Sequence, residues 1–121
     1  MPTDAQFEER MPVWEAFSEF FLDTELQAED HERIAQVLAA SGYSAKELEE
    51  ILVYEVYPTC KVNMFSMAGE WAGINPDWIR EKMAPKYDRR PPIRIWSFHH
   101  RWMYGRHWQR VQPRIAELRA K

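Results

Sequence analysis

Cysteine is nearly absent from this chain, and long apolar runs are missing altogether. Cys60 is the single cysteine, so no disulfide can form within the chain, and a reducing compartment suits it. The first ten residues carry Asp4, Glu8, Glu9 and Arg10 where a secretory signal would have a basic and then an apolar segment. No stretch approaches the roughly 18 apolar residues of a membrane span. These absences predict a cytoplasmic protein.

The sequence also lacks the short motifs that carry catalysis or bind a cofactor. It has no glycine-rich phosphate loop, no serine nucleophile elbow and no paired carboxylates at a recognised spacing. Nothing beside Cys60 supplies the base and orienting carboxylate that a nucleophile needs, although His99 and His100 occur further along the chain. His100 and His107 do not form a recognised zinc spacing. We therefore predict no catalytic residue, no metal site and no cofactor.

Apolar and aromatic side chains are plentiful, and the charges are divided unequally along the chain. The 121 residues are 45% hydrophobic and 14% aromatic, which is enough for one substantial core but too little for two ordinary domains. Residues 1–60 hold 14 acids and 3 bases, whereas residues 61–121 hold 5 acids and 13 bases. Either the two halves neutralise each other within one compact domain, or one of them presents a charged binding face.

Apolar periodicity predicts a first helix near the N-terminus. Its stripe consists of Phe7, Met11, Trp14, Phe17 and Phe21, at spacings of four, three, three and four. Pro12 interrupts this pattern, so the helix begins either near Phe7 or at Pro12 itself, where the missing N–H costs nothing.

Capping and breaking residues divide the rest of the chain into further helices. A second helix is predicted from about residue 29 to residue 41, and a third follows the capping box of Ser44 and Glu47. Pro58 should keep Tyr57 out of the helical region, so that the third helix ends near Val56. A fourth should begin at about residues 75–76 and end near residue 85.

The C-terminal segment has helical apolar spacing on both sides of Gly105 and contains Pro113. It is therefore predicted to form two helices or one bent helix. No strand pattern of convincing length occurs. The predicted fold is all-α: a single compact bundle of five to six helices over residues 1–121, with a core at residues 7–84 and a basic, aromatic helical extension at residues 85–121.

Glu55 is the carboxylate whose position is most unusual. It lies four residues after Ile51 and three after Leu52, on the stripe of the third helix that should face the core. A buried carboxylate must be paired. We therefore predict that it accepts hydrogen bonds from an arginine of the basic tail, a tryptophan indole or a helix N-terminus, in a structural and not a catalytic role.

Several residues, taken in order, resemble the pattern of a family of small bacterial proteins of unknown function. They are Trp14, the run FFLDTE at 20–25, EVYP at 55–58, Asn63, AGEWAG at 68–73 and Trp78. The resemblance covers about residues 10–84 and leaves the segment after Pro85 outside it, as an extension. It implies a compact cytoplasmic bacterial protein with no known activity to transfer, in which Glu55, Asn63, Trp71 and Trp78 are structural.

The acidic half predicts a surface for a protein partner that is itself basic, because complementary charge speeds encounter and sharpens partner choice. Small, acidic, helical bacterial proteins are similar to immunity proteins, which block a cognate toxin. The leading prediction is thus a non-enzymatic protein-binding module of the immunity type. Its candidate partner-binding residues are Glu8, Glu15, Glu19, Glu29, Asp30, Glu32, Glu47 and Glu50.

The alternative prediction is a nucleic-acid-binding protein that uses the arginine- and tryptophan-rich C-terminal helix. Arginines at helical spacing suit phosphates, and aromatic side chains can stack on exposed bases. The candidate residues for this role are Arg94, Arg101, Arg106, Arg110 and Arg114. Tryptophans of this segment share faces with isoleucine and valine, however, which is more typical of a core than of a stacking surface.

Overall fold

The structure is a computed structural model that describes residues 2–22, 27–59, 76–88 and 98–120. Side chains are described for all of these except residues 21, 22, 76, 98–104 and 106. The described part contains helices and no strand, so the all-α prediction is confirmed. The helices are α1 (Asp4–Leu22), α2 (Ala28–Ala40), α3 (Ala45–Glu50), α4 (Pro76–Met83) and α5 (Phe98–Ala120). A π-helical segment (Ile51–Val56) continues α3, and a 3-10 turn (Ala84–Lys86) follows α4.

Helix α1 begins earlier than either position that the sequence analysis allowed. The Thr3 hydroxyl accepts a hydrogen bond from the Gln6 backbone N–H at 3.2 Å, and the Gln6 side chain accepts one from the Thr3 N–H at 2.8 Å. This reciprocal capping box satisfies two N–H groups at the helix start. Pro12 therefore lies inside α1, where the Glu8 carbonyl that loses its partner belongs to an exposed residue and can be hydrated.

The end of the third helical run also differs from the prediction. Tyr57 has helical backbone angles, and its N–H donates to the Leu52 carbonyl, five residues earlier. The helical conformation continues to Thr59 despite Pro58, and the Thr59 hydroxyl donates to the Glu55 carbonyl at 2.9 Å. The steric preference that should have excluded Tyr57 is overcome by burial, because Tyr57 and Thr59 are both almost fully enclosed.

The C-terminal segment forms one helix, and it is part of the core. Helix α5 runs through Gly105 and Pro113 without a break, so of the two predicted alternatives, two helices or one bent helix, the structure has a single helix. Pro113 lies on the exposed side, where the unpaired Gln109 carbonyl can reach water. Three residues from the inner face of α5 join the hydrophobic core, and they are Trp108, Val111 and Ile115.

Helix α1 is central to the bundle, since it contacts α2, the π-helical segment, α4 and α5. Its inner face contributes Val13, Trp14, Phe17 and Phe20, all buried. Each large apolar side chain removed from water stabilises a fold by about 1.5–3 kcal/mol. Two buried polar contacts lie beside α1. One joins α1 to the π-helical segment, and the other joins α2 to α5.

Candidate functional site

A buried ion pair joins α1 to the π-helical segment. Arg10 Nη1 donates to both carboxylate oxygens of Glu55, at 2.5 Å and 2.7 Å. Glu55 has no exposed surface, and Arg10 is 3% exposed. Glu55 lies on the buried face of the π-helical segment, together with Ile51, Leu52 and Val56. The geometry meets the requirement that a buried charge be paired and hydrogen-bonded.

Two further groups donate hydrogen bonds to the Glu55 carboxylate. Trp14 Nε1 donates to Oε1 at 2.8 Å, and the backbone N–H of Asp88 donates to Oε2 at 3.1 Å. Asp88 has a positive φ of 54°, a left-handed conformation that aspartate tolerates better than most residues. The turn after α4 is thereby attached to the middle of the bundle.

The guanidinium of Arg10 is equally well surrounded. Its Nε donates to the Tyr43 hydroxyl at 3.0 Å and its Nη2 to Asp88 Oδ1 at 3.1 Å. The Tyr87 ring lies 3.9 Å and the Tyr43 ring 4.8 Å from the guanidinium carbon, distances at which a cation is attracted to a ring face. Burial alone would lower the pKa of Arg10, but the hydrogen bonds to Glu55 and Tyr43 outweigh it and raise that pKa. The arginine stays charged at any physiological pH.

Part of the prediction for Glu55 needs correction. The indole donor exists and is Trp14, but the arginine is Arg10 of the first helix and not one from the basic tail. With its oxygens enclosed and occupied by donors, Glu55 has no access to a substrate proton.

A second buried polar contact joins α2 to α5. His31 Nε2 lies 3.0 Å from His107 Nδ1, and both residues are buried. The two ring centroids are 5.2 Å apart, and the Phe20 ring of α1 stacks on His107 at 5.5 Å. Sequence analysis gave no sign of this pair, because its members lie 76 residues apart and neither belongs to a motif.

Among the candidate partner-binding acids, some are engaged by nearby cations. Glu19 receives two hydrogen bonds from Arg33, at 2.7 Å and 2.8 Å, and Arg33 also reaches Asp30 at 3.4 Å. Glu32 receives two from Arg114 Nε, at 2.6 Å and 2.9 Å. The Gln27 backbone N–H also donates to Asp30, and this bond is the main reason that the pKa of Asp30 is lowered. These residues support the helices of the bundle as well as contributing charge.

Three other acids of the candidate set, Glu8, Glu15 and Glu29, form no ion pair with a cation of the described ranges. Glu8 and Glu29 are exposed and Glu15 is half-buried. Desolvation by the surrounding helices, followed by repulsion from Glu19, raises the pKa of Glu15. The remaining two members of the set lie on the α3 run: Glu47 completes the Ser44 capping box, as predicted, and Glu50 is half-buried.

The described members of the arginine set are divided between solvent and intramolecular partners. Arg110 is exposed, whereas Arg114 is bonded to both Glu32 and Glu117. Arg94 and the side chains of Arg101 and Arg106 lie outside the described residues. Arg119, which was not predicted to have a role, donates to the carbonyls of four residues at the end of α2 and just beyond it, namely Leu38, Ala39, Ser41 and Tyr43.

Further predicted residues fall partly outside the structure. Asn63, Trp71 and Cys60 belong to ranges that the structure does not describe, while Trp78 is half-buried against the core. In the described ranges, no three His, Cys, Asp or Glu side chains converge as a metal site requires. None of the helices described is both long enough and apolar enough to cross a lipid bilayer.

These observations define an all-α protein whose C-terminal helix is integral to its core. A family profile described as Domain of unknown function (DUF7079) matches residues 8–119. The chain belongs to this family, and the match includes most of the segment after Pro85 that the sequence analysis treated as an extension. Searches of curated proteins and of solved structures found no match.

Proposed function

We propose that this protein is a non-enzymatic protein-binding module of the bacterial cytoplasm that uses the acidic surface of its N-terminal helices to bind a basic partner. The observation that carries the proposal is a line of carboxylates along α1. Glu8, Glu15 and Glu19 are separated by seven and four residues, spacings that place them on one side of a helix. This side points away from the core that Trp14 and Phe17 occupy.

The line is accessible and only partly neutralised by the described part of the protein. Arg33 pairs with Glu19, but Glu8 and Glu15 contact no described cation. Arg33 also joins this line to α2 through Asp30, so that the acidic surface spans two neighbouring helices. A basic partner would relieve the repulsion between Glu15 and Glu19, and the field of the line would steer its approach.

A toxin with a basic active site is the partner class that we favour. Small, acidic, helical bacterial proteins that act as immunity proteins block such sites by offering carboxylates to them, and the analogy rests on size, fold class and charge. Binding to nucleic acid is less well supported. Among the described arginines proposed for this role, Arg114 is already paired with two carboxylates. An acidic surface nearby would also repel the phosphates of a nucleic acid.

Affinity capture with matched charge variants tests the proposal. The immobilised protein is exposed to lysate of its source organism as the wild type, as Glu8→Gln/Glu15→Gln and as Glu49→Gln/Glu81→Gln. Both variants lose two carboxylates, but the second pair lies on α3 and α4 and does not belong to the line on α1. We expect the wild type and the Glu49/Glu81 variant to retain one basic protein in stoichiometric amount. The Glu8/Glu15 variant should lose it, and raised salt should weaken retention.

Three results would contradict the proposal: no protein retained by the wild type, retention of an acidic protein, or equal retention by both variants. Titration with single-stranded and duplex oligonucleotides over a salt series examines the alternative. Tight binding with a steep salt dependence would favour nucleic acid over a protein partner.

A further inference from the structure

The contact between His31 and His107 imposes a limit on charge. Their ring nitrogens lie 3.0 Å apart, and a hydrogen bond at this distance needs one nitrogen that donates and one that accepts. At least one ring must therefore be neutral. If both rings carried two protons, two N–H groups would face each other between buried rings, and the contact would be lost.

The surroundings of His31 also disfavour positive charge. Burial lowers the pKa of His31, the positive charge of Arg110 on α5 lowers it further, and Asp30 on α2 opposes both. From α1, the neighbour that stacks on His107 is the uncharged ring of Phe20. The groups that face the pair from the three helices thus include one cation, one half-buried carboxylate and one apolar ring.

We propose that the His31–His107 contact makes the attachment of α5 to α2 sensitive to pH, so that mild acid separates the two helices at this point. The other described attachments between these helices do not involve an imidazole. Glu32 pairs with Arg114, and Arg119 holds the carbonyls at the end of α2. Carboxylates ordinarily titrate near pH 4 and arginine far above pH 10. Separation therefore starts at the His31 end, while Arg119 still holds the other end.

The sign of the effect follows from the lowered pKa of His31. The separated state, in which the imidazole meets water, binds a proton at an ordinary pKa of about 6.5. The closed state binds it only at a lower pH. The stabilisation from the contact is therefore complete above about pH 6.5 and is lost as the pH falls below it. Each proton taken up on opening changes the opening equilibrium by up to about tenfold per pH unit.

Amide hydrogen exchange of the full chain tests this proposal. Protection factors, which are corrected for the intrinsic pH dependence of exchange, are measured at pH 7.5 and pH 5.5. We expect the protection of residues 107–111 to fall about tenfold in the wild type, and that of α1 residues 13–20 to change much less. In a His31→Gln/His107→Gln variant, whose amides can hydrogen-bond but do not titrate, the fall at residues 107–111 should disappear.

A His99→Gln/His100→Gln variant is the matched control, because it removes the same number of histidines and retains both members of the contact. It should keep the wild-type fall in protection. The proposal is overturned if the His31/His107 variant keeps the pH dependence, or if the control loses it. Should the His31/His107 variant fail to fold, titration of the wild-type imidazole C–H resonances decides the matter. A His31 pKa below 6.5 supports the proposal, and an ordinary value contradicts it.

Discussion

The two buried polar contacts of this bundle differ in chemistry and in what they can tolerate. The contact between Arg10 and Glu55 joins α1 to the π-helical segment through opposite charges, with Trp14 and the Asp88 backbone as further donors. The contact between His31 and His107 joins α2 to α5 through two groups of the same kind. The first needs both partners charged, whereas the second needs one of them neutral.

The two contacts should therefore respond differently to pH. A buried ion pair with complete hydrogen bonding is insensitive to pH over the physiological range, but loss of either partner leaves an uncompensated charge. A pair of imidazoles contributes less, yet it changes state near neutral pH. The ion pair therefore fixes α1 against the π-helical segment. The proposed response to pH lies instead in the attachment of α5 to α2.

The largest effect should come from breaking the ion pair. Glu55→Ala leaves the Arg10 guanidinium buried, and within the described ranges its remaining anionic partner is the exposed carboxylate of Asp88. We expect the free energy of unfolding to fall by about 3–5 kcal/mol. Urea denaturation followed by circular dichroism measures this change.

The matched control removes both charges at once. Arg10→Met/Glu55→Leu replaces the pair by apolar side chains, and it should be much less destabilised than Glu55→Ala because no unpaired charge remains. A loss below about 1 kcal/mol for Glu55→Ala would contradict this account, since it would mean that water reaches the pair as freely as it reaches a surface ion pair.

A smaller loss of stability should come from replacing Arg119, which helps to attach α5 to α2. Arg119→Met removes donors from four carbonyls at and beyond the end of α2, and we expect a loss of about 1–2 kcal/mol. Arg119→Lys keeps the favourable charge at a helix C-terminus but not the planar fork, so its loss should be intermediate. Thermal denaturation of the three proteins tests this order, and equal stability of all three would contradict it.

Local signals in the sequence predicted much of the fold. The Ser44–Glu47 capping box forms as expected, and helices were placed correctly where apolar spacing, Gly42 or Pro76 marked them. Glu55 was predicted to be buried because it lies on an apolar stripe. The start of α1 differs from the prediction because the Thr3–Gln6 capping box extends the helix toward the N-terminus, and both of these residues can be read from the sequence. Tyr57 was misplaced because a local steric preference was outweighed by burial.

The partners of the buried groups could not be predicted in the same way. Arg10 and Glu55 are 45 residues apart, and His31 and His107 are 76 apart. Which residues meet at such separations depends on how the helices cross, and no periodicity within a single helix determines that. The same holds for Arg119, whose role is defined by the end of a helix about 80 residues earlier.

Tyr43 contacts both Arg10 of the ion pair and Arg119 of α5. Its hydroxyl accepts from Arg10 Nε, and its carbonyl accepts from Arg119 at 2.6 Å. Tyr43→Phe removes only the first of these bonds. Arg10 keeps its contacts with Glu55, Asp88 and the Tyr87 ring in this variant. We therefore expect the free energy of unfolding to fall by about 0.5–1 kcal/mol, the smallest loss of the series.

A double-mutant cycle between Tyr43→Phe and Arg119→Met then measures whether the two sides are coupled. The Tyr43 carbonyl survives in the phenylalanine variant, so the losses should add to within about 0.5 kcal/mol in urea denaturation. A larger interaction energy would show that the segment between α2 and α3 transmits strain from one contact to the other. The ion pair and the contacts of Arg119 at the end of α2 would then belong to one cooperative unit.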